Sequence, residues 1–313
     1  MKPRLFIDGE HGTTGLQIRE RLASRSDIEV LSIPHAERRD TEKRRDMLAG
    51  CDVAILCLPD DAAREAVSLI EASGNEACKI IDTSTAHRTS PDWVFGFAEL
   101  EKGQAEAVSA ARRVSNPGCY STGAIALLKP LISTGLMATD FPVTINAVSG
   151  YTGGGKQLIA QMEDKNHEDH IATSYHAYAL PLKHKHVPEI MVRAGLDRRP
   201  VFTPAVGRFA QGMLVNIPLH LDSLNGAGKP ADIHDALADH YTGCKHVTVA
   251  SREEASKTAH LRPEDFAGRN DMKLWVFGDP ETGHVNLVAQ LDNLGKGASG
   301  AAVQNLDLML GNK

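Results

Sequence analysis

Arg4-Leu5-Phe6-Ile7-Asp8-Gly9-Glu10-His11-Gly12-Thr13-Thr14-Gly15 decides the fold. Residues 4–8 read as a short buried strand, and the apolar positions Leu16, Ile18 and Leu22 recur at helical spacing just beyond. Between them Gly9, Gly12 and Gly15 stand three apart. Glycines permit a tight turn and close backbone approach, and a helix N-terminus offers free N–H groups to a phosphate. The spacing is G-x-x-G-x-x-G, so a plain strand-to-helix turn competes with a dinucleotide cradle, and the strand-turn-helix setting favours the cradle.

The pattern continues outward. Strands read at 28–33, 52–58 and 79–82 alternate with helical spacing, for example over 62–72. Strands alternating with helices predict a parallel sheet with crossover helices, and a strand apolar throughout, as at 53–58, fits a sheet covered on both faces. After residue 140 begins a region of longer strands, read at 143–148, 201–203, 213–219, 246–250, 274–277 and 284–291. These predict a mixed or antiparallel sheet. Residues 225–230 read as a surface turn and 299–310 as a closing helix. The expected fold class is α/β: an N-terminal Rossmann-type dinucleotide-binding domain plus an α+β domain with a mixed sheet.

The bulk numbers narrow the function. With 313 residues, 42% hydrophobic and 24% charged, the chain is an ordinary globular protein of two-domain size. A formal net charge of −6 argues against a nucleic-acid partner. The dense basic run Arg38 to Arg45 is interrupted by Asp40 and Glu42 and reads as a solvated helix face. No stretch approaches the roughly 18 apolar residues that span a membrane, and the first residues read as a strand entering glycine rather than a leader. Cysteines at 51, 57, 78, 119 and 244 are odd in number and without dense spacing, which fits free thiols in the cytoplasm.

Two further stretches carry chemistry. Ser115-Asn116-Pro117-Gly118-Cys119-Tyr120 puts a thiol after a Pro-Gly turn and before the small and apolar run that begins at Ser121. At a helix N-terminus the dipole stabilises a thiolate nucleophile, although most cysteines are small buried hydrophobes. Among 14 histidines, His184-Lys185-His186 stands out, because on an extended segment both imidazoles face one way. A metal would need further ligands, and none stands at telling spacing, so no metal site is expected. At the cofactor loop no acid ends the second strand. Ser32 there, with Arg38 and Arg39 close by, suits a 2′-phosphate, which favours NADP over NAD.

Taken together, the motifs resemble the N-acetyl-gamma-glutamyl-phosphate reductases, in their shorter type, within the aspartate-semialdehyde-dehydrogenase-like superfamily. The resemblance rests on S-N-P-G-C-Y at 115–120, the glycine loop, Asp82-Thr83-Ser84 with His87-Arg88, Val148-Ser149-Gly150 with Gly153-Gly154-Gly155-Lys156, Lys183 to Ile190, and Asp292 to Gly300. It spans the whole chain. It implies NADPH-dependent reduction of an acyl phosphate, N-acetyl-glutamyl 5-phosphate, to the semialdehyde through a Cys119 thioester. It implies His186 as acid/base with His184 as competitor, and Glu189 as the residue that orients the imidazole. It places the cofactor on Gly9, Gly12, Thr13, Thr14, Gly15, Ser32, Arg38, Cys57, Pro59 and Asn293. Substrate contacts would come from Ser84, Asn116, Ser149, Gly150 and Lys156, with Arg112 or Arg208 for the carboxylate. The domains would be discontinuous, 1–117 with 292–313 for NADP and 118–291 for catalysis and oligomerisation, in a homo-oligomer (dimer or tetramer) acting on a small molecule. Where many members of the family have arginine beside glycine, this chain has Gln211 before Gly212. An acyl-phosphate reductase for another substrate, such as aspartyl phosphate, and a non-enzymatic dinucleotide-binding regulator with an inert Cys119 share much of this pattern.

Overall fold

The computed structural model describes residues 1–311, which divide into two compact units. The first comprises 1–98, 102–118 and the chain from 298 onward; the second comprises 99–101 and 119–297.

The first unit holds a six-stranded sheet made of β1 (Arg4–Asp8), β2 (Glu29–Leu31), β3 (Val53–Leu56), β4 (Lys79–Asp82), β5 (Val94–Phe95) and β6 (Arg113–Ser115). Its order is β2-β1-β3-β4-β6-β5, and every pairing is parallel. Helices α1 (Thr13–Leu22), α2 (Thr41–Gly50), α3 (Asp60–Ala72), α4 (Gln104–Ala110) and the last helix, α10 (Gly300–Leu310), surround it. Side chains alternate across a strand, and here both faces are apolar. Leu5, Ile7, Val53, Ile55 and Val114 pack with Ile18, Leu22 and Leu306 on one face. Phe6, Ala54, Leu56 and Ile80 pack with Leu48, Ala66 and Ile70 on the other. This is the doubly wound arrangement, in which ligands bind outside the carboxyl ends of the strands.

Arg44 departs from the solvated helix face expected for its run. It lies in α2 only 8% exposed. Its guanidinium meets the buried Asp8 carboxylate at 3.0 Å and Glu65 at 3.1 Å. Burial pushes the Asp8 carboxyl upward, and Arg44 pulls against it.

The second unit begins with α5 (Cys119–Ser133) and carries β7 (Thr144–Gly150), α6 (Gly155–Glu163), β8 (Tyr175–Ala177), α7 (His186–Ala194), β9 (Val201–Gly207), β10 (Met213–His220), α8 (Pro230–His240), β11 (Val247–Val249), α9 (Arg252–Lys257), β12 (Met272–Asp279) and β13 (His284–Leu291). Its seven-stranded sheet runs β11-β12-β13-β10-β7-β9-β8. The sheet is mixed: β12, β13, β10 and β7 are antiparallel neighbours, while β7 with β9 and β11 with β12 are parallel. Helix α5 packs on β10 and β13. The approach is close at Gly123, where a Cβ would come within 2.8 Å of the Val215 side chain.

Candidate active site

Cys119 is the first residue of α5, as its Pro-Gly turn foretold. That end of the helix carries the positive pole, which favours an anion on sulfur. The C-terminal motif packs against it: a Cβ built on Gly297 would lie 2.8 Å from the Cys119 Cβ. Only glycine allows this contact. None of the five cysteines is in a disulfide, and burial pushes the Cys57 thiol up to about 12, which leaves it inert at neutral pH.

The two histidines are brought together with ring centroids 4.7 Å apart, but the segment is not extended. His186 opens α7 and is 6% exposed. His184 precedes that helix, and its Nδ1 accepts the His186 backbone N–H at 3.1 Å, so one of the orphan donors at the helix start is satisfied. The proton of His184 is therefore on Nε2, which faces the Tyr178 hydroxyl at 3.2 Å. Burial and the neighbouring Lys185 hold the His184 imidazole down at about 4, so it is neutral near pH 7. Tyr120 and Phe202 pack edge-on against the His184 ring at 5.9 and 5.1 Å. The Tyr120 hydroxyl donates to the Ala205 carbonyl at 2.9 Å.

Tyr178 was not picked out from the sequence. Its phenol is pushed up to about 12, first by burial and also by the charge of Cys119, so it stays protonated at working pH. The loop that carries it has two non-glycine residues in the left-handed region, Ala179 at φ 52° and Leu182 at φ 59°. Such strain clusters at functional sites. Arg193 was also missed. It shares with His186 and Glu189 the face of α7 defined by positions i, i+3 and i+7. Burial pulls its guanidinium downward, and Glu189, 1% exposed, opposes this.

The loop from Ser149 to Gly154 is laced to residues 209–212. Gly150 N donates to the Gly212 carbonyl at 2.9 Å, and Tyr151 N to the Phe209 carbonyl at 3.0 Å. Asn293, 1% exposed, accepts Gly212 N–H at 2.9 Å and donates to Thr152 Oγ1 at 3.0 Å. A Cβ on Gly153 would stand 3.3 Å from Asn293 Nδ2 and 3.5 Å from Ser149 Oγ, so these three converge. Lys156 is exposed in the first turn of α6.

Several expected substrate residues are engaged elsewhere. Arg208 donates to the carbonyls of Met162 at 3.0 Å, Thr173 at 3.3 Å and also Ile171, so it clamps a loop rather than offering a free fork. Arg112 lies just before β6 and donates to the Cys78 and Asn75 carbonyls, both at 3.2 Å. That is the amino end of the strands, opposite Ser84 and Asn116, which follow the carboxyl ends of β4 and β6. Asn116 has all its polar groups engaged: its N–H donates to Asp82 O, Nδ2 to Ala298 O, Oδ1 accepts from Asn305, and its carbonyl accepts from Arg88. Ser84 donates to Asp82 Oδ2 at 2.8 Å, and His87 shares the same carboxylate oxygen at 2.7 Å. Asn116 thus fixes the start of the turn that leads to the cysteine, while Ser84 braces the turn that follows β4.

In the first unit the glycine loop fits a dinucleotide. A Cβ on Gly9, at φ +89°, would lie 2.3 Å from the Cys57 carbonyl, and one on Gly15 would lie 2.4 Å from the Gly9 carbonyl. The loop can therefore be built only this tightly with glycine, and it lies beside the carboxyl end of β3 where Cys57 and Pro59 follow. The buried Thr13 Oγ1 has no hydrogen-bond partner, as a hydroxyl meant for a phosphate oxygen would. Among the described residues no three metal-ligating side chains converge, and no helix is long and apolar enough to cross a membrane.

Fold and site together define a semialdehyde-dehydrogenase-type protein. Residues 7–108 match the family described as semialdehyde dehydrogenase, NAD binding domain, and residues 119–293 match semialdehyde dehydrogenase, dimerisation domain. Aspartate semialdehyde dehydrogenase II of Vibrio cholerae shares the fold at a TM-score of 0.72 and 14% identity, over 99% of this chain and 98% of that one. The Francisella tularensis aspartate semialdehyde dehydrogenase does so at 0.70 and 13% identity, over 98% and 99% of the two chains. Much greater identity links the chain to N-acetyl-gamma-glutamyl-phosphate reductases: 62% over 99% of both chains for that of Brucella anthropi, and 62% over 99% of this chain and 100% of the other for that of Brucella ovis. The chain belongs to the N-acetyl-gamma-glutamyl-phosphate reductase family.

Proposed function

We propose that the protein reduces N-acetyl-glutamyl 5-phosphate to N-acetyl-glutamate 5-semialdehyde with NADPH and releases phosphate, a step of arginine biosynthesis. The observation that carries this reading is Cys119 opening α5, with His186 opening α7 in the same unit, in a chain 62% identical to reductases of that name.

The Cys119 sulfur attacks the acyl carbon, the bond to phosphate breaks, and a thioester forms. His186 takes the thiol proton as sulfur attacks. A dinucleotide held by the glycine loop would supply the hydride that reduces the thioester. The resulting thiohemiacetal collapses to the aldehyde and returns Cys119, with His186 moving the hydroxyl proton. Glu189 on the same helix face orients the imidazole. His184 holds Tyr178, whose hydroxyl can donate to charge at the reacting oxygen. Ser149, Gly150 and Lys156 bind the phosphate or carboxylate of the substrate. Arg112 and Arg208 both donate to backbone carbonyls, and the carboxylate is assigned to Arg193, which shares the α7 face of His186. Backbone N–H groups at the start of α5 stabilise the oxyanion.

The cofactor is NADP, held by Gly9, Gly12, Thr13, Thr14 and Gly15 at the phosphates and by Ser32 and Arg38 at the adenosine end, with Cys57, Pro59 and Asn293 completing the site. The cofactor domain comprises 1–117 with 292–313, and the catalytic domain 118–291. The protein acts in the cytoplasm as a homo-oligomer, dimer or tetramer, and the match of residues 119–293 to a dimerisation domain supports the oligomer.

Phosphate-dependent oxidation of the two semialdehydes with NADP decides the substrate. Turnover of N-acetyl-glutamate 5-semialdehyde is expected. Turnover of aspartate semialdehyde alone would overturn the assignment.

A further inference from the structure

Glu10 is 4% exposed and stands in the turn between Gly9 and Gly12, against the end of β2. Its Oε1 accepts the Ser32 hydroxyl at 2.5 Å, and its Oε2 accepts Arg19 Nη1. The same Nη1 also reaches Ser32 Oγ at 3.3 Å. A carboxylate therefore does stand at the carboxyl end of β2, although none follows that strand in sequence. It comes from the glycine loop instead.

In doubly wound folds a carboxylate at this place accepts the ribose hydroxyls and disfavours a phosphate on the 2′ oxygen. Here both oxygens of Glu10 are already engaged, and Arg19 matches its charge. Arg19 bonds through Nη1 alone, and its side chain is 49% exposed. The remaining edge of its guanidinium is a fork suited to phosphate oxygens. Arg38 is anchored differently, with Nη1 on the carbonyl of His35 in its own turn at 2.7 Å.

We infer that Arg19 is the arginine that binds the 2′-phosphate of NADP, with Glu10 as the positioning residue that holds its guanidinium beside Ser32. The inference rests on the NADP reading above and moves the cationic contact from Arg38, near β2 in sequence, to Arg19 on α1.

Calorimetric titration of the full chain with NADP, NAD, 2′,5′-ADP and 5′-AMP tests it. Arg19→Ala is expected to weaken NADP and 2′,5′-ADP by about 10- to 100-fold, the range for a lost charge-assisted hydrogen bond. NAD binding stays within about twofold, which also shows that the variant is folded. Arg19→Lys recovers part of the loss. Glu10→Ala weakens NADP on its own but adds nothing on top of Arg19→Ala, and Glu10→Gln restores the affinity, as a positioning role requires. Unchanged NADP affinity in Arg19→Ala together with a large loss in Arg38→Ala overturns the inference and leaves the NADP reading intact. A wild-type protein that binds 5′-AMP as tightly as 2′,5′-ADP overturns both.

Discussion

The Nδ1 of His184 accepts the backbone N–H of His186 at 3.1 Å, and this contact gives the two imidazoles different work. His184 is fixed as a neutral donor to Tyr178, while His186 sits at the helix start beside the cysteine-bearing unit's aromatic cluster. Replacing His186 with Gln should lower kcat by about 10²–10⁴-fold, the usual contribution of a general acid/base. His184→Asn should cost roughly tenfold or less, the scale of one lost neutral hydrogen bond. A pH–rate profile separates them: the acid limb should vanish in the His186 variant and remain in the His184 variant.

The depressed His184 imidazole also sets a stability trend. Unfolded, the group titrates near 6.5, and folded at about 4, so the unfolded chain binds more protons between these values. Stability should therefore fall as pH drops from about 6.5 toward 4, with no further loss from this group below that. Urea unfolding across this window should show a flatter dependence in His184→Asn than in the wild type. Equal slopes would mean that His184 is not held neutral.

Gly297 is required by its contact with Cys119. An added methyl would lie 2.8 Å from the Cys119 Cβ and 2.9 Å from the Asp292 carbonyl, both too near to relax cheaply. Gly297→Ala should cost about 1–3 kcal/mol of stability, the range for overpacking. It should also cost activity, measurable as slower alkylation of Cys119 by iodoacetamide. Wild-type alkylation and turnover would show that the close approach is dispensable.

Arg44 and Asp8 form a buried pair, and breaking it leaves one charge alone. Arg44→Ala should destabilise by about 3–5 kcal/mol, and adding Asp8→Asn should recover part of that by removing the orphaned carboxylate. Chemical denaturation of the two variants measures the difference.

Much of the first unit was legible because a parallel sheet covered on both faces makes its strands apolar throughout. The strand at 79–82 and the strand at 284–291 were read to the residue. The second strand was read to residue 33 but pairs only through Leu31, because Ser32 turns to Glu10. The first helix begins at Thr13 rather than Leu16, since Gly12 already accepts the Leu16 N–H. The ninth strand was cut short at 203, where Pro204 reads as a breaker, yet the strand continues to Gly207. The cysteine and the histidine pair were legible as motifs. Tyr178, Arg193 and Arg19 were not, because each acquires its partners only through tertiary structure. The reach of Arg208 and Arg112 to backbone carbonyls was hidden for the same reason: a charge count along the chain does not show what a folded guanidinium meets.

The most direct test of a covalent step at Cys119 is intact-protein and peptide mass spectrometry after mixing the protein with N-acetyl-glutamyl 5-phosphate in the absence of NADPH. The expected result is one added N-acetylglutamyl group on the peptide that contains Cys119, lost when NADPH is supplied and absent from Cys119→Ser. Full reductase turnover by Cys119→Ser, or an acyl group that maps to another residue, would contradict the thioester mechanism.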